Sequence, residues 1–182
     1  MCRFALLVIA VTLLVGSMAQ AASYEKTDGT IVDPILDTSG SMHPYSGNDL
    51  EPVASLINAN LADANLAGAY LRKAFLILSS LTGANLADAD LTEAMIRDAN
   101  LASANLTGAE LIDTDFSSSN LTGAVLANAN LTGAMLTGAT LTGANLSGAN
   151  LENTSDFLDN VRSGGIVGTP IALPTNWLLE AG

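Results

Sequence analysis

Residues 84–108 read ANLAD ADLTE AMIRD ANLAS ANLTG, which are five consecutive units of five residues. Each unit has a large apolar residue in third place and a small residue in first place. The first-place residue is Ala except in three units, which carry Ser79, Thr114 and Ser119. The third-place residues run without insertion over residues 54–153 and are Leu56, Leu61, Leu66, Leu71, Leu76, Leu81, Leu86, Leu91, Ile96, Leu101, Leu106, Leu111, Phe116, Leu121, Leu126, Leu131, Leu136, Leu141, Leu146 and Leu151.

A strict period of five fits neither a helix face, which repeats at about 3.6 residues, nor a strand face, which repeats at 2. It indicates a solenoid in which each unit turns the chain by a fixed angle. The first and third residues of a unit share a face in extended backbone, and that face points inward. The fifth place holds many Gly, Asp and Asn residues, which suit a corner.

The units Ala99-Asn100-Leu101 and Ala144-Asn145-Leu146-Ser147-Gly148 resemble the pentapeptide-repeat family, whose consensus is A-(N/D)-L-x-x. The resemblance implies an all-β fold, a right-handed quadrilateral parallel β-helix with four units per coil and Leu pointing inward. Twenty units then form about five coils. At a strand spacing of about 4.8 Å, the tube is roughly 24 Å tall.

The segments that flank the repeats define four regions. Residues 1–21 read as a secretory signal peptide, with Arg3, an apolar run over 4–15 and the small-x-small site Ala19-Gln20-Ala21. Residues 22–53 are predicted as an N-terminal leader or cap, and 54–153 as the repeat β-helix. Residues 154–182 are predicted as a C-terminal tail or cap, with Trp177, Leu178 and Leu179 as a lid. We therefore expect export to the periplasm or the outside of the cell, and no membrane span in the mature chain.

Composition excludes several classes of function. The net charge is −12 with only six Lys and Arg, which argues against nucleic acid as a partner. The one cysteine lies in the signal peptide, so the mature chain has no thiol chemistry. No nucleophile–base pair, phosphate loop or zinc cluster is recognisable, so we predict no cofactor and no enzymatic activity.

One short motif resembles a metal site. Asp37, Ser39 and Ser41 match the Asp-x-Ser-x-Ser pattern of von Willebrand factor A domains, whose oxygen atoms bind Mg²⁺. That fold requires a doubly wound sheet, for which the leader is too short. The context therefore favours a turn in the cap over a metal site.

Residues twenty apart stack in one column, so the outward positions can be assigned to four faces. The face centred on Leu56 is apolar, which makes it a candidate contact surface. Two alternatives stay open: a partner or second copy binds there, or the leader or tail of the same chain covers it. The predicted interaction stripe is Ile57, Phe75, Ile77, Leu78, Met95 and Met135.

The face centred on Leu71 places four carboxylates on two neighbouring coils: Asp90, Glu93, Glu110 and Asp113. A bound Ca²⁺ would relieve their repulsion. The simpler alternative is a solvated acidic patch, partly compensated by Arg72 and Lys73 one coil away. A third face stacks Asn65, Asn85, Asn105 and Asn145, a column that Val125 interrupts. Stacked amides form hydrogen-bonded ladders, so this column is interpreted as a stabilising device.

Two functions follow from these observations. The first is a non-enzymatic exported protein that acts as a scaffold or protein-interaction module, by binding a protein partner or itself. The second is suggested by the resemblance, because some pentapeptide-repeat proteins mimic DNA and bind DNA gyrase. The acidic charge suits that alternative, and the signal peptide opposes it, because gyrase is cytoplasmic.

Overall fold

The computed structural model describes residues 52–154 and 164–172, together with the backbone of three short strands in the leader. Strand β1 is Tyr24–Glu25 and pairs antiparallel with β2, Ile31–Val32. Strand β3, Leu36–Asp37, pairs antiparallel with β4, Ala64–Asn65, which belongs to the repeats.

The repeats form a tube with four units in each turn. Each unit pairs in parallel with the unit twenty residues later through its second-place residue, as Asn85 does with Asn105. Units i and i+4 are therefore stacked, which confirms the predicted right-handed quadrilateral β-helix. The coils span residues 54–73, 74–93, 94–113, 114–133 and 134–153. We number the four faces 1 to 4 in chain order, by the central residues of the first coil: Leu56, Leu61, Leu66 and Leu71.

The interior contains the residues that the pattern places there. The first-place and third-place side chains of every unit are buried. Burial of each central Leu contributes about 1.5–3 kcal/mol relative to exposure. Four polar side chains occupy first places in this core, and each donates its hydroxyl to a backbone carbonyl: Ser79, Thr114, Ser119 and Thr154. Because each hydroxyl has an acceptor, these residues replace Ala without leaving a buried donor unpaired.

Every corner uses left-handed backbone. The fifth-place residue has a φ of 54° to 71° at each corner from 53 to 153. The central carbonyl accepts a hydrogen bond from the first N–H of the next unit, as in Ala89 N to Leu86 O at 3.1 Å. A positive φ in the third residue of a hydrogen-bonded turn is characteristic of type II turns. This conformation explains why Gly, Asn and Asp are frequent in fifth place.

The second-place Asn completes the hydrogen bonding of a unit, as unit 84–88 shows. Its first N–H makes the turn bond at 3.0 Å, and its second donates to the preceding coil at 2.8 Å. Its third and fifth N–H groups donate to the following coil at 2.7 and 2.9 Å. The fourth N–H, that of Ala87, donates to Oδ1 of Asn85 at 3.2 Å. All five backbone N–H groups of the unit therefore have an acceptor, which backbone donors buried away from water require.

The same Asn side chains also join neighbouring coils. Nδ2 of Asn85 donates to Oδ1 of Asn65, and Nδ2 of Asn105 donates to Oδ1 of Asn85, both at 3.0 Å. The predicted ladder on face 3 is therefore confirmed from Asn65 to Asn105, and Val125 ends it because its isopropyl group has no N–H to donate to Oδ1 of Asn105. Face 2 carries a further rung, from Asn120 to Asn100 at 3.0 Å.

Short segments pair with both ends of the tube. At the first coil, β3 lies beside β4 on face 3. At the last coil, Val167 pairs with Asn145 and Ala172 pairs with Asn150, an offset of 22 residues instead of 20. Residues 164–172 therefore form two sides of a sixth coil, on faces 3 and 4. Ile166 takes the Ala position of this coil and packs against the core. The predicted lid of Trp177, Leu178 and Leu179 lies outside the described residues.

Replacing Val125 with Asn is expected to stabilise the protein. The new amide accepts from the N–H of Ala127 and joins Asn105 to Asn145, which restores the ladder. We expect the free energy of unfolding to rise by about 1 kcal/mol, the typical net value of an added hydrogen bond. Chemical denaturation followed by circular dichroism measures this change. Val125→Ala is the control without a new amide; an Asn variant no more stable than the Ala variant would contradict the ladder's role.

Candidate functional site

The first three coils bring most of the predicted stripe together on face 1. Phe75 pairs with Met95 on the following coil, and Ile77 lies two residues after Phe75 on the same side of the tube. Ile57, Leu78 and Met95 are exposed at 48%, 56% and 43%, whereas Phe75 and Ile77 are half-buried. Five of the six predicted residues thus form one continuous apolar surface.

Met135 is separated from this surface. Asp115 lies between Met95 and Met135 in the same column, and its carboxylate forms an ion pair with Arg97 at 3.5 Å. The predicted stripe therefore does not run the length of the tube, because a charged pair between the third and fourth coils interrupts it.

The structure adds Val53, which the sequence pattern assigned to the leader. Val53 occupies the corner between faces 4 and 1 of the first coil, with a φ of 65° and 58% exposure. β-branched residues rarely adopt left-handed backbone, so a Val at a corner position departs from the repeat pattern. That departure is the sequence signal by which Val53 could have been predicted. We call Val53, Ile57, Phe75, Ile77, Leu78 and Met95 the face 1 surface.

Both aliphatic corners of the tube border this face. Val53 lies at its first corner and Leu78, with a φ of 60°, at its second. The other non-glycine corners are Asn, Asp, Ser, Lys or Glu. An L-residue in left-handed backbone costs about 1 kcal/mol, and aliphatic side chains lack the local hydrogen bonds that help Asn and Asp. The two residues are therefore unfavourable for the fold where they stand.

The surface also replaces the second-place Asn. Phe75 and Met95 occupy the position at which Asn85 and Asn105 bind a backbone N–H and the adjacent coil. Phenyl and thioether groups cannot serve as that oxygen acceptor. Face 1 therefore lacks these hydrogen bonds of the repeat and presents apolar side chains in their place.

The predicted acidic patch lies on face 4 and at its corner with face 1. Asp90 accepts from Arg72 at 3.3 Å, and Lys73 pairs with Glu93 at 3.2 Å. The expected compensation by the two basic residues of the preceding coil is therefore observed. Glu110 accepts instead from Asn130 Nδ2 at 3.0 Å.

Asp113 occupies the corner of the third coil, at a φ of 54°. Within residues 52–154 and 164–172, no group of three or more His, Cys, Asp or Glu side chains is arranged to hold a metal ion. Of the leader motif, only the backbone of Asp37 is described, and Ser39 and Ser41 lie outside the described residues.

Comparison with known proteins identifies the family. The family model for pentapeptide repeats (8 copies) matches residues 59–98, 84–123, 96–133 and 114–153, which together cover more than half of the chain. The protein therefore belongs to the pentapeptide-repeat family. The comparison with curated proteins gives no match.

Three solved structures illustrate the similarity. A pentapeptide repeat protein (Rfr23) from the cyanobacterium Cyanothece 51142 is 25% identical, over 68% of this chain and 86% of that one, with a TM-score of 0.43. A pentapeptide repeat protein from the Arabidopsis thaliana thylakoid lumen is 30% identical, over 55% and 64%, with a TM-score of 0.39. Full-length QnrB1, a plasmid-mediated fluoroquinolone resistance protein, is 17% identical, over 73% and 87%, with a TM-score of 0.28.

In the part of the chain that the structure describes, no helix has the length and hydrophobicity needed to cross a membrane.

Replacing Leu78 with Asn is expected to stabilise the isolated protein, because Asn adopts left-handed backbone more readily and the exposed leucine is removed. We expect the free energy of unfolding to rise by about 0.5–1 kcal/mol, measured by denaturant titration. Asn58→Leu is the matched control, since Asn58 occupies the same corner column one coil earlier, with a φ of 58°. It should lower stability by a similar amount. A large loss of stability in the Leu78 variant would show instead that this side chain supports the fold.

Proposed function

We propose that this protein is a non-enzymatic, exported interaction module that binds through its face 1 surface. The observation that carries the proposal is the pair of aliphatic corners, Val53 and Leu78. Each is more than half exposed and each is in left-handed backbone.

The repeat offers better residues for these positions. Asn58 and Gly138 occupy the same column as Leu78 and suit the left-handed corner. A Leu there adds backbone strain and exposes apolar area, and neither effect helps the tube. Local departures of this kind are expected where a structure serves function instead of stability. Apolar contact with another molecule provides that reason.

The chemistry of the surface supports binding over catalysis. It presents methyl, phenyl and thioether groups, which stabilise a complex because binding removes their surface from contact with water. Such groups neither transfer protons nor attack a substrate, so the role proposed is recognition.

Export is supported by the leader, in which Arg3 precedes an apolar run over 4–15 and the small-x-small site 19–21. A fusion of residues 1–30 to a reporter that is active only outside the cytoplasm tests this part. We expect activity, and we expect Leu7→Arg in the apolar run to abolish it. A reporter that remains in the cytoplasm would overturn export.

Contact through face 1 is tested by a photo-reactive phenylalanine analogue placed at position 78 of the full chain in its native host. We expect a crosslinked product whose yield falls when Met95 is also changed to Asn. The same analogue at position 125, on the opposite face 3, is the matched control and should give no product. Equal yields at both positions, or no product at position 78, would overturn the proposed surface.

The gyrase-binding alternative is less well supported by the described coils. Residues 52–154 contain nine carboxylates and three basic side chains, so the tube is acidic. Within these coils the carboxylates stack only two deep, as Asp90 over Glu110 and Glu93 over Asp113. A DNA mimic needs longer rows to reproduce the charge spacing of a duplex.

A further inference from the structure

We propose that the occupant of the face 1 surface is a second copy of this chain, bound in a symmetric homodimer. This inference rests on the proposed function, because it requires that the surface is a contact site. It adds the identity of the partner, which is argued from the position of the flanking segments and from the distribution of charge.

Two described parts of the flanking segments, β3 and residues 164–172, pair with faces other than face 1. Strand β3 of the leader pairs on face 3 of the first coil, which is the side of the tube opposite to face 1. The tail segment 164–172 pairs on faces 3 and 4 of the last coil. Leu56 and Leu61 of the first coil are nevertheless as buried as the leucines of inner coils. Strand β3 and residues 164–172 thus lie at the two ends of the tube, on faces 3 and 4, and their positions favour an occupant of face 1 from another molecule.

The basic side chains of the tube are concentrated around this surface. Residues 52–154 contain Arg72, Lys73 and Arg97 as their basic residues, and all three lie in the first three coils. Arg97 is on face 1, Lys73 is at its corner with face 4, and Arg72 is next to Lys73. Each lies within 3.2 to 3.5 Å of a carboxylate, in the pairs Arg72–Asp90, Lys73–Glu93 and Arg97–Asp115.

These pairs give the surface a rim that contains both signs of charge. In a two-fold dimer the same patch meets itself, so a rim must be complementary to its own copy. A rim of paired charges satisfies this condition, because cations and anions are available to each other across the contact. The arrangement of an apolar centre within a polar rim is also that of known interfaces.

The net charge of the chain favours the same choice. Two molecules that each carry −12 repel at most orientations, and the repulsion is least where the carboxylates are compensated. A strongly basic partner would be attracted to carboxylates that have no basic neighbour, such as Glu110, which pairs with an amide on face 4. The three ion pairs of the rim leave Asp98 as its one carboxylate outside these pairs, so face 1 is the side of the tube on which an acidic copy meets the least repulsion.

The size of the surface determines the affinity expected for the dimer. Six residues per partner is well below the roughly 20–30 of a standard interface, so the dimer is weak. We expect a dissociation constant on the order of 10–100 µM, which lies in the range of small, transient interfaces.

Analytical ultracentrifugation of the protein purified from the compartment where it accumulates tests the proposal. The wild-type protein should pass from monomer to dimer over this range of concentration. Leu78→Asn and Met95→Asn should each raise the dissociation constant about tenfold or more, the effect typical of central interface residues. Val125→Asn, on the opposite face, is the control and should dimerise like the wild type. Circular dichroism verifies that each variant is folded.

Wild-type protein that remains monomeric to millimolar concentration, or a dimer unaffected by Leu78→Asn, would overturn the proposal. A monomeric wild type that still crosslinks at position 78 would identify a different partner, and the interaction function would stand. Absence of both dimer and crosslink would remove both proposals.

Discussion

Left-handed backbone at every fifth residue is the constraint on which this structure depends. Each such residue turns the chain by one corner, and four corners return it to its starting face after twenty residues. Only then do the backbone N–H and C=O groups of successive coils hydrogen-bond, at 2.7 to 3.0 Å throughout the five coils. The leucine core is a consequence of this register, since one Leu and one small residue per side fill the narrow tube. A single uncompensated insertion would move every following Leu off its face, as the break after Thr154 illustrates.

The consensus at second place has an equally direct physical explanation. The N–H of the fourth residue in a unit points away from the neighbouring coils, and the Asn side chain supplies its acceptor. The spare amide hydrogen joins successive coils on faces 2 and 3. Apart from Val125, the second places of those two faces are polar, whereas face 1 replaces these amides with Phe75 and Met95. The cluster of apolar departures thus lies on one side of the tube and in its first three coils, and Val125 and Met135 are separate from it.

The ends of the tube show how a one-dimensional fold stops. A solenoid that ends abruptly presents unpaired backbone and an open apolar layer, which favour aggregation. Here β3 pairs with the first coil in the antiparallel direction, and residues 164–172 extend the last coil by two sides. In that extension Gly168 aligns with the Leu column, so the leucine stack is not continued. Ile166 packs against the core from the Ala position instead.

The sequence by itself determined the tube. Its period and the small residue in first place predict a solenoid, and the resemblance to the pentapeptide-repeat family implies the four faces and five coils. With that coil length, the recurring Asn in second place predicts the ladder, because contacts then repeat in register. The sequence also identified the apolar side of the tube. It did not identify the limits of that surface: Met135 is cut off by the Arg97–Asp115 pair, and Val53 joins from a residue assigned to the leader. Nor did it predict the two-residue offset with which 164–172 rejoins the tube. These features were decided only by the tertiary structure, because they depend on backbone conformation at individual corners and on side-chain pairs between coils, which no periodic pattern encodes.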